Sequence, residues 1–443
     1  MAFGSTAFGF EQRIDETLAA GPWAQSDAEK RLLESLDAAA EQIQALSADG
    51  YADMAGEEDR QPAHPVLTET ALLLLAAHIA AGSFDQTAAK GGIRRRILSL
   101  AEQLKPLARG SRVLLSLVLQ PARALDFALP HICLTRLGYP DLRCDRLLHE
   151  TLWNTPQTAQ QCAPLGQLRH EWLLWMGSVS SNPHGRQDAA ASLLARPLDL
   201  LHTTRQEALV FCQALQLATD FNCLPIPLPR SKDELLAEAG AVLARCLDDN
   251  DFDLAAQVLS VWPLVVHPFP EKPASAAKPP VGCAWSAAAA FGLDVLRRVE
   301  DQTGPRTANG FVWSAALMPG ACPPENIPVA PAGLTGAAHA LLQHLDAEAR
   351  QAIWFQEFQV LDPEQQDSLA GLLLDIALLR KLKQKDYPGL ALLFLEAGRL
   401  QLPHSPLAAQ AAHLLNRLQV FNEILAQRRP TSPFPAVSRA FAA

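Results

Sequence analysis

Five side chains in this sequence have the chemistry an active site would use: His131, Arg136, His170, Glu171 and Asp220. A histidine can ligate a metal or act as a general base, and a nearby carboxylate can orient it. An arginine in the same pocket would clamp an anionic group of a substrate. The five come from three separate helical regions, so a shared pocket depends on the fold bringing them together. Each also has a plainer reading. His131 follows Pro130, which removes a backbone donor and frees a carbonyl; a polar residue there suits a site, and equally suits a helix bent around a core. His170 and Glu171 are adjacent and so face different ways on a helix. Asp220 ends an apolar helix, where an acid opposes the dipole, so it either caps the next segment or is held for a partner.

Four further groupings are weaker. Asp145 and His149 lie four apart, on one helical face. Asp248-Asp249-Asn250-Asp251-Phe252-Asp253 offers carboxylates for a hard cation, but an EF-hand loop would need Gly and Glu where Leu254 and Ser260 stand. That run reads as an exposed turn whose last acids cap the next helix. Arg94-Arg95-Arg96 reads as a solvated helical face, and Trp172 with Trp175 as core packing. The P-loop, the dinucleotide fingerprint, His-Glu-x-x-His and Gly-x-Ser-x-Gly are all missing, which argues against those families only. No cofactor and no metal can be assigned from the pattern.

The elements that would position these residues are helices. Apolar residues recur with a period near 3.6, and alternating β-branched runs are almost absent. Ser26 with Glu29, Thr204 with Glu207, and Ser231 with Glu234 fit capping boxes, while Asp362-Pro363 and Ser405-Pro406 place a cap before a proline at the first helical position. Among the expected helices are 122–137 interrupted by Pro130, 187–201, 310–317, 347–358 and 363–385. The fold expected is all-α, an irregular stack of antiparallel helix pairs, solenoid-like or toroid-like, with an extra C-terminal helical block. A main domain over 20–330 contains a Pro-rich linker at 267–280; a second Pro-rich stretch at 319–333 leads to the block at 334–430 and a loosely ordered tail at 431–443.

Composition agrees. The chain has 443 residues, 49% hydrophobic and 19% charged, with net charge −10, which excludes a disordered chain and argues against a nucleic-acid binder working through a basic field. Eight cysteines without a Cys-x-x-Cys pair read as buried free thiols. The N-terminal residues lack a secretory pattern, and the longest apolar run, 71–81, is short of the roughly 20 residues a bilayer needs. The expectation is a cytoplasmic protein with no membrane and no nucleic acid among its partners.

Leu129-Pro130-His131 with Thr135-Arg136-Leu137-Gly138-Tyr139-Pro140-Asp141 resembles a segment of an all-helical bacterial family of unknown function, often encoded among natural-product biosynthesis genes. Ala218-Thr219-Asp220, Asp253-Leu254-Ala255 with Trp262-Pro263-Leu264, and Thr307-Ala308 through Met318-Pro319-Gly320 to Pro323-Pro324 resemble it too, so the likeness covers roughly 65–330. It implies helix-pair stacking and no established activity. Arg306 stands where members tend to have a histidine, and Pro164-Leu165-Gly166 where they tend to have Pro-His-Arg. Two polar, potentially metal-binding positions are then lost, which points toward a scaffold or non-catalytic partner.

Three readings follow: a helical interaction or accessory protein with a second protein as partner, in a bacterial biosynthetic or modification system; a metal-dependent enzyme of unfamiliar type with a polar pocket inside the helical domain; and a binder of an apolar ligand in a cavity between Ala- and Leu-rich helices.

Overall fold

The structure is a computed structural model that describes residues 25–51, 64–83, 88–153, 164–177, 193–218, 228–259, 282–303, 336–402 and 404–428. Both Pro-rich stretches, the 310–317 segment and the tail lie outside the described residues.

The protein is all-α, with no strand among the described residues. The α-helices are α1 (Gln25–Ala48), α2 (Pro65–Ser83), α3 (Ala88–Ala108), α4 (Ser111–Leu119), α5 (Ala124–Arg136), α6 (Leu142–Trp153), α7 (Pro164–Met176), α8 (Arg205–Ala218), α9 (Lys232–Asp248), α10 (Phe252–Leu259), α11 (Gly282–Thr303), α12 (Ala337–Leu342), α13 (Ile353–Val360), α14 (Pro363–Ser368), α15 (Ala370–Lys383), α16 (Tyr387–Arg399) and α17 (Pro406–Arg428). Each helix packs on near neighbours in the chain: α1 on α3, α2 on α5, α5 on α7, α8 on α10, α9 on α11. The last three pack together, and α15 and α17 also lie along α9. No single helix is long and apolar enough to cross a membrane among the described residues.

Local chemistry sets several helix starts. Ser231 and Glu234 form a reciprocal capping box, as do Asp362 and Gln365. Thr204 and Glu207 do the same: the Thr204 amide donates to Glu207 Oε2 at 2.7 Å, and the Glu207 amide to Thr204 Oγ1 at 3.2 Å. Ser405 Oγ accepts from the Ala408 amide at 3.0 Å and donates to Asp375 Oδ1 at 2.5 Å, so the cap of α17 is also tied to α15. Ser26 differs: α1 already begins at Gln25, so Ser26 lies within the helix.

Four expected elements are corrected. Pro130 does not interrupt its helix; α5 runs unbroken through it, because every residue from Phe127 to Leu134 is buried and that packing outweighs one lost hydrogen bond. The described part of 187–201 holds only a 3-10 turn, Leu193–Ala195. Pro197 stops it, and the Asp199 carbonyl then accepts from the amides of His202 and Thr203 in a turn. The 347–358 helix divides at Ala352, whose extended ψ of 142° separates a 3-10 turn from α13 and lets Trp354 and Phe358 enter the core. The 363–385 helix divides at Leu369, where Ser368 Oγ bonds the Gln365 carbonyl and the Asp367 carboxylate turns away to accept from the amides of Gly336 and Ala338.

One continuous core runs through the molecule, from Leu32 in α1 to Leu415 in α17. Of the cysteines, Cys133, Cys144, Cys212 and Cys246 are free and buried; burial pushes the Cys144 and Cys212 thiols up to about 12, so they behave as small apolar groups.

Candidate functional site

His131 is 1% exposed, one of the few polar side chains inside the core. It projects from the middle of α5 toward the corner between α3 and α4 and toward the first turn of α6. Arg109 Nε donates to His131 Nδ1 at 3.1 Å, and His131 Nε2–H donates to Asp145 Oδ1 at 2.8 Å. This pairing fixes the tautomer, since Nδ1 must be the acceptor. Burial holds the imidazole below its ordinary pKa, against the opposing pull of the Asp145 carboxylate. The ring is therefore neutral.

The backbone builds the rest. Gly138 ends α5 with φ of +91°, a left-handed conformation that favours glycine, and the Tyr139 amide then bonds back to the Leu134 carbonyl at 2.9 Å. That turn presents the Tyr139 carbonyl to Arg109 Nη2. Asp141 caps α6 by accepting from the amides of Arg143 and Cys144, which holds its carboxyl below the usual range, with the Arg109 charge adding to the effect. One guanidinium thus joins α3, α5 and α6.

This geometry decides what His131 can do. Both ring nitrogens are engaged by the protein, so neither carries a lone pair toward a metal or a substrate proton. The cluster has the look of a catalytic dyad and the bonding of a structural bolt. Asp145 was readable as the partner of His149, four residues on; it meets His131 across two helices instead, and His149 is exposed. Arg109 gave no signal beyond its place before Gly110 at a helix break.

The remaining candidates lie elsewhere. Arg136 donates from Nε to the Met176 carbonyl at 2.7 Å and from Nη2 to the Trp175 carbonyl at 2.9 Å, with its guanidinium carbon 4.9 Å from the centre of the Trp175 ring. It caps the C-terminus of α7 and is not aimed at an anionic ligand beside His131. His170 is half-buried on α7, and its pKa is lowered by burial against the charge of Asp126. Glu171 is half-buried on the same helix. Asp220 lies outside the described residues. His131, Arg136, His170 and Glu171 line neither the cavity between α8, α9 and the C-terminal helices nor the groove beside His413 and Arg417. Nor do three or more His, Cys, Asp or Glu side chains come together as a metal site among the described residues.

The acidic run was only partly legible. Asp251 does cap α10, accepting from the Leu254 amide at 3.2 Å, and it pairs with Arg205 at 2.6 Å. Asp248, however, is buried under Arg380 of α15 at 2.7 Å, and Lys383 bonds Asp249. Arg380 also bonds Asp346, which in turn caps the turn before α13. Nothing near 248 in the sequence announces partners more than 130 residues away.

Over residues 29–319, more than half of its length, the chain matches the family described as Domain of unknown function (DUF6895), and it belongs to that family. No curated protein and no solved structure matches it.

Proposed function

We propose that this member of the DUF6895 family is a helical interaction protein, an accessory subunit that binds a second protein through its C-terminal helices. The observation that carries this reading is α16. Leu390 and Leu393 on its inner face are fully buried, and Ala391, Phe394 and Ala397 are half-buried. Its outer face exposes two large apolar side chains, Leu392 by 57% and Leu395 by 48%, beside the Glu396–Arg399 ion pair. The helix lies at the surface beside α17, which exposes Val420, Phe421 and Ile424 on its own outer stretch. Such patches mark interaction surfaces. The engaged state of both His131 nitrogens supports the same reading, because the most site-like cluster is already satisfied. A cytoplasmic setting in a bacterial biosynthetic or modification system belongs to this proposal and rests on the sequence resemblance. The metal-dependent enzyme gains no favouring observation among the described residues.

The test is capture from source-cell extract on the immobilised full chain. The wild type should retain one protein in stoichiometric amount, and the Leu392→Glu/Leu395→Glu double variant should lose it while keeping its melting temperature. A retained protein indifferent to the double substitution, or none at all, would overturn the reading.

A further inference from the structure

The larger cavity lies where α15, α16 and α17 meet α8 and α9, and it encloses about 430 Å³. That is the size range of small-molecule sites. Its lining is mixed, and the apolar part comes from both sides of the junction: Ala208, Val242 and Leu254 from the family-matched part, Leu379 and Leu414 from beyond it. Four charges at its edge cancel in pairs. Arg205 binds Asp251 through two nitrogens, at 2.6 and 3.1 Å, and Lys383 binds Asp249.

Arg245 is the exception. Its guanidinium, always protonated, bonds only main-chain carbonyls: Thr203, Leu200 at 2.6 Å and Leu201 at 3.4 Å. Neutral carbonyls hold its geometry, and the negative end of α9, in whose last turn it lies, offsets only part of its charge. Among the described residues no carboxylate pairs with it. Three of its five N–H groups are used, which leaves Nε–H and one Nη1–H for another acceptor. The lining therefore carries one net positive charge in a protein whose net charge is −10.

We infer that this cavity binds a small amphiphile with a single anionic head, a carboxylate or phosphate, and a short apolar body. Arg245 takes the head as a charge-assisted donor, and the five apolar side chains enclose the body. Because both sides of the junction supply the walls, the bound ligand fastens the C-terminal helices to the rest. The inference stands apart from the outer face of α16 and survives whether or not that face binds a protein.

The experiment is isothermal titration of the full chain with octanoate and octyl phosphate, against octanol, octylamine and acetate as body-only, charge-reversed and head-only controls. At least one of the two anionic probes should bind one to one and at least tenfold tighter than every control, and should raise the melting temperature. Arg245→Met should remove that preference. Since Arg245 also secures the 200–203 turn, a second variant tests the walls: Ala208→Leu, which leaves the guanidinium in place, should weaken the anionic probe at least tenfold. Octanol or octylamine binding as well as the anions, no binding by either anion, or full affinity in Ala208→Leu would each overturn the inference.

Discussion

His131 in α5 and Asp375 in α15 are buried to a similar degree, 1% and 5% exposed, and the core treats them in opposite ways. Burial favours the neutral form of any group, which lowers the pKa of a base and raises that of an acid. His131 is accordingly pushed down despite its carboxylate partner. Asp375 is pushed up to about 7, against the lowering effect of its one hydroxyl partner, Ser405. The histidine is neutral and bonded at both polar atoms, so its burial costs little near neutrality. The aspartate reaches neutral pH half-ionised in a place where ionisation is costly. The two regions therefore tilt the stability of one molecule in opposite directions.

The signs can be worked out. The folded pKa of His131 lies below its unfolded value near 6.5, so the stability this difference carries is present above that value and is lost as pH falls. Asp375 has a folded value of about 7 against 3.8, so its contribution is complete below the lower value and is lost as pH rises through the upper one.

The largest effect should come from removing the acid's charge. Asp375→Asn keeps an acceptor for Ser405, and at pH 8 it should stabilise the protein by something on the order of 4 kcal/mol, with little change at pH 4. Urea unfolding at the two pH values measures this, and a variant less stable than wild type at pH 8 would remove the contrast. Next comes His131→Phe, which leaves Arg109 Nε facing an apolar ring and should cost about 2–3 kcal/mol at pH 8. That deficit should shrink below pH 6 in the same assay, since the variant lacks the wild type's acid-side loss. Asp145→Asn is subtler. The amide oxygen still accepts from Nε2–H, so the stability cost should be about 1 kcal/mol. Loss of the carboxylate should lower the imidazole pKa further, read by NMR titration of the His131 ring. Smallest of all, Arg136→Ala should cost about 0.5–1 kcal/mol through the lost cap on α7, equally at every pH from 5 to 8.

What the sequence made legible was local. The Ser231, Thr204, Asp362 and Ser405 starts rest on bonds spanning three residues, and such bonds need no distant partner. The divisions at Ala352 and Leu369 were hidden, because apolar periodicity runs across both and the causes are tertiary: Asp346 held by Arg380, and Asp367 lent to the amides before α12. His131 stood out by type, but its role depended on Arg109 and Asp145, 22 and 14 residues away, and on which nitrogen met which. The sequence points only to an unplaced apolar cavity between Ala- and Leu-rich helices. Nothing around Arg245 in the sequence sets it apart, and its want of a carboxylate is a property of the fold.

The salt-bridged junction at Asp248 bears on where the chain can be cut. Kinship with the family ends at residue 319, yet Asp248, inside that region, is neutralised by Arg380 and Lys383, which lie outside it. A gene cut at the border of kinship would bring a buried carboxylate into the world without its counter-charges and strip the cover from α9. The C-terminal helices therefore do more than extend the chain: they supply the counter-charges and the cover that a carboxylate on α9 needs, so the two parts are coupled through one buried acid.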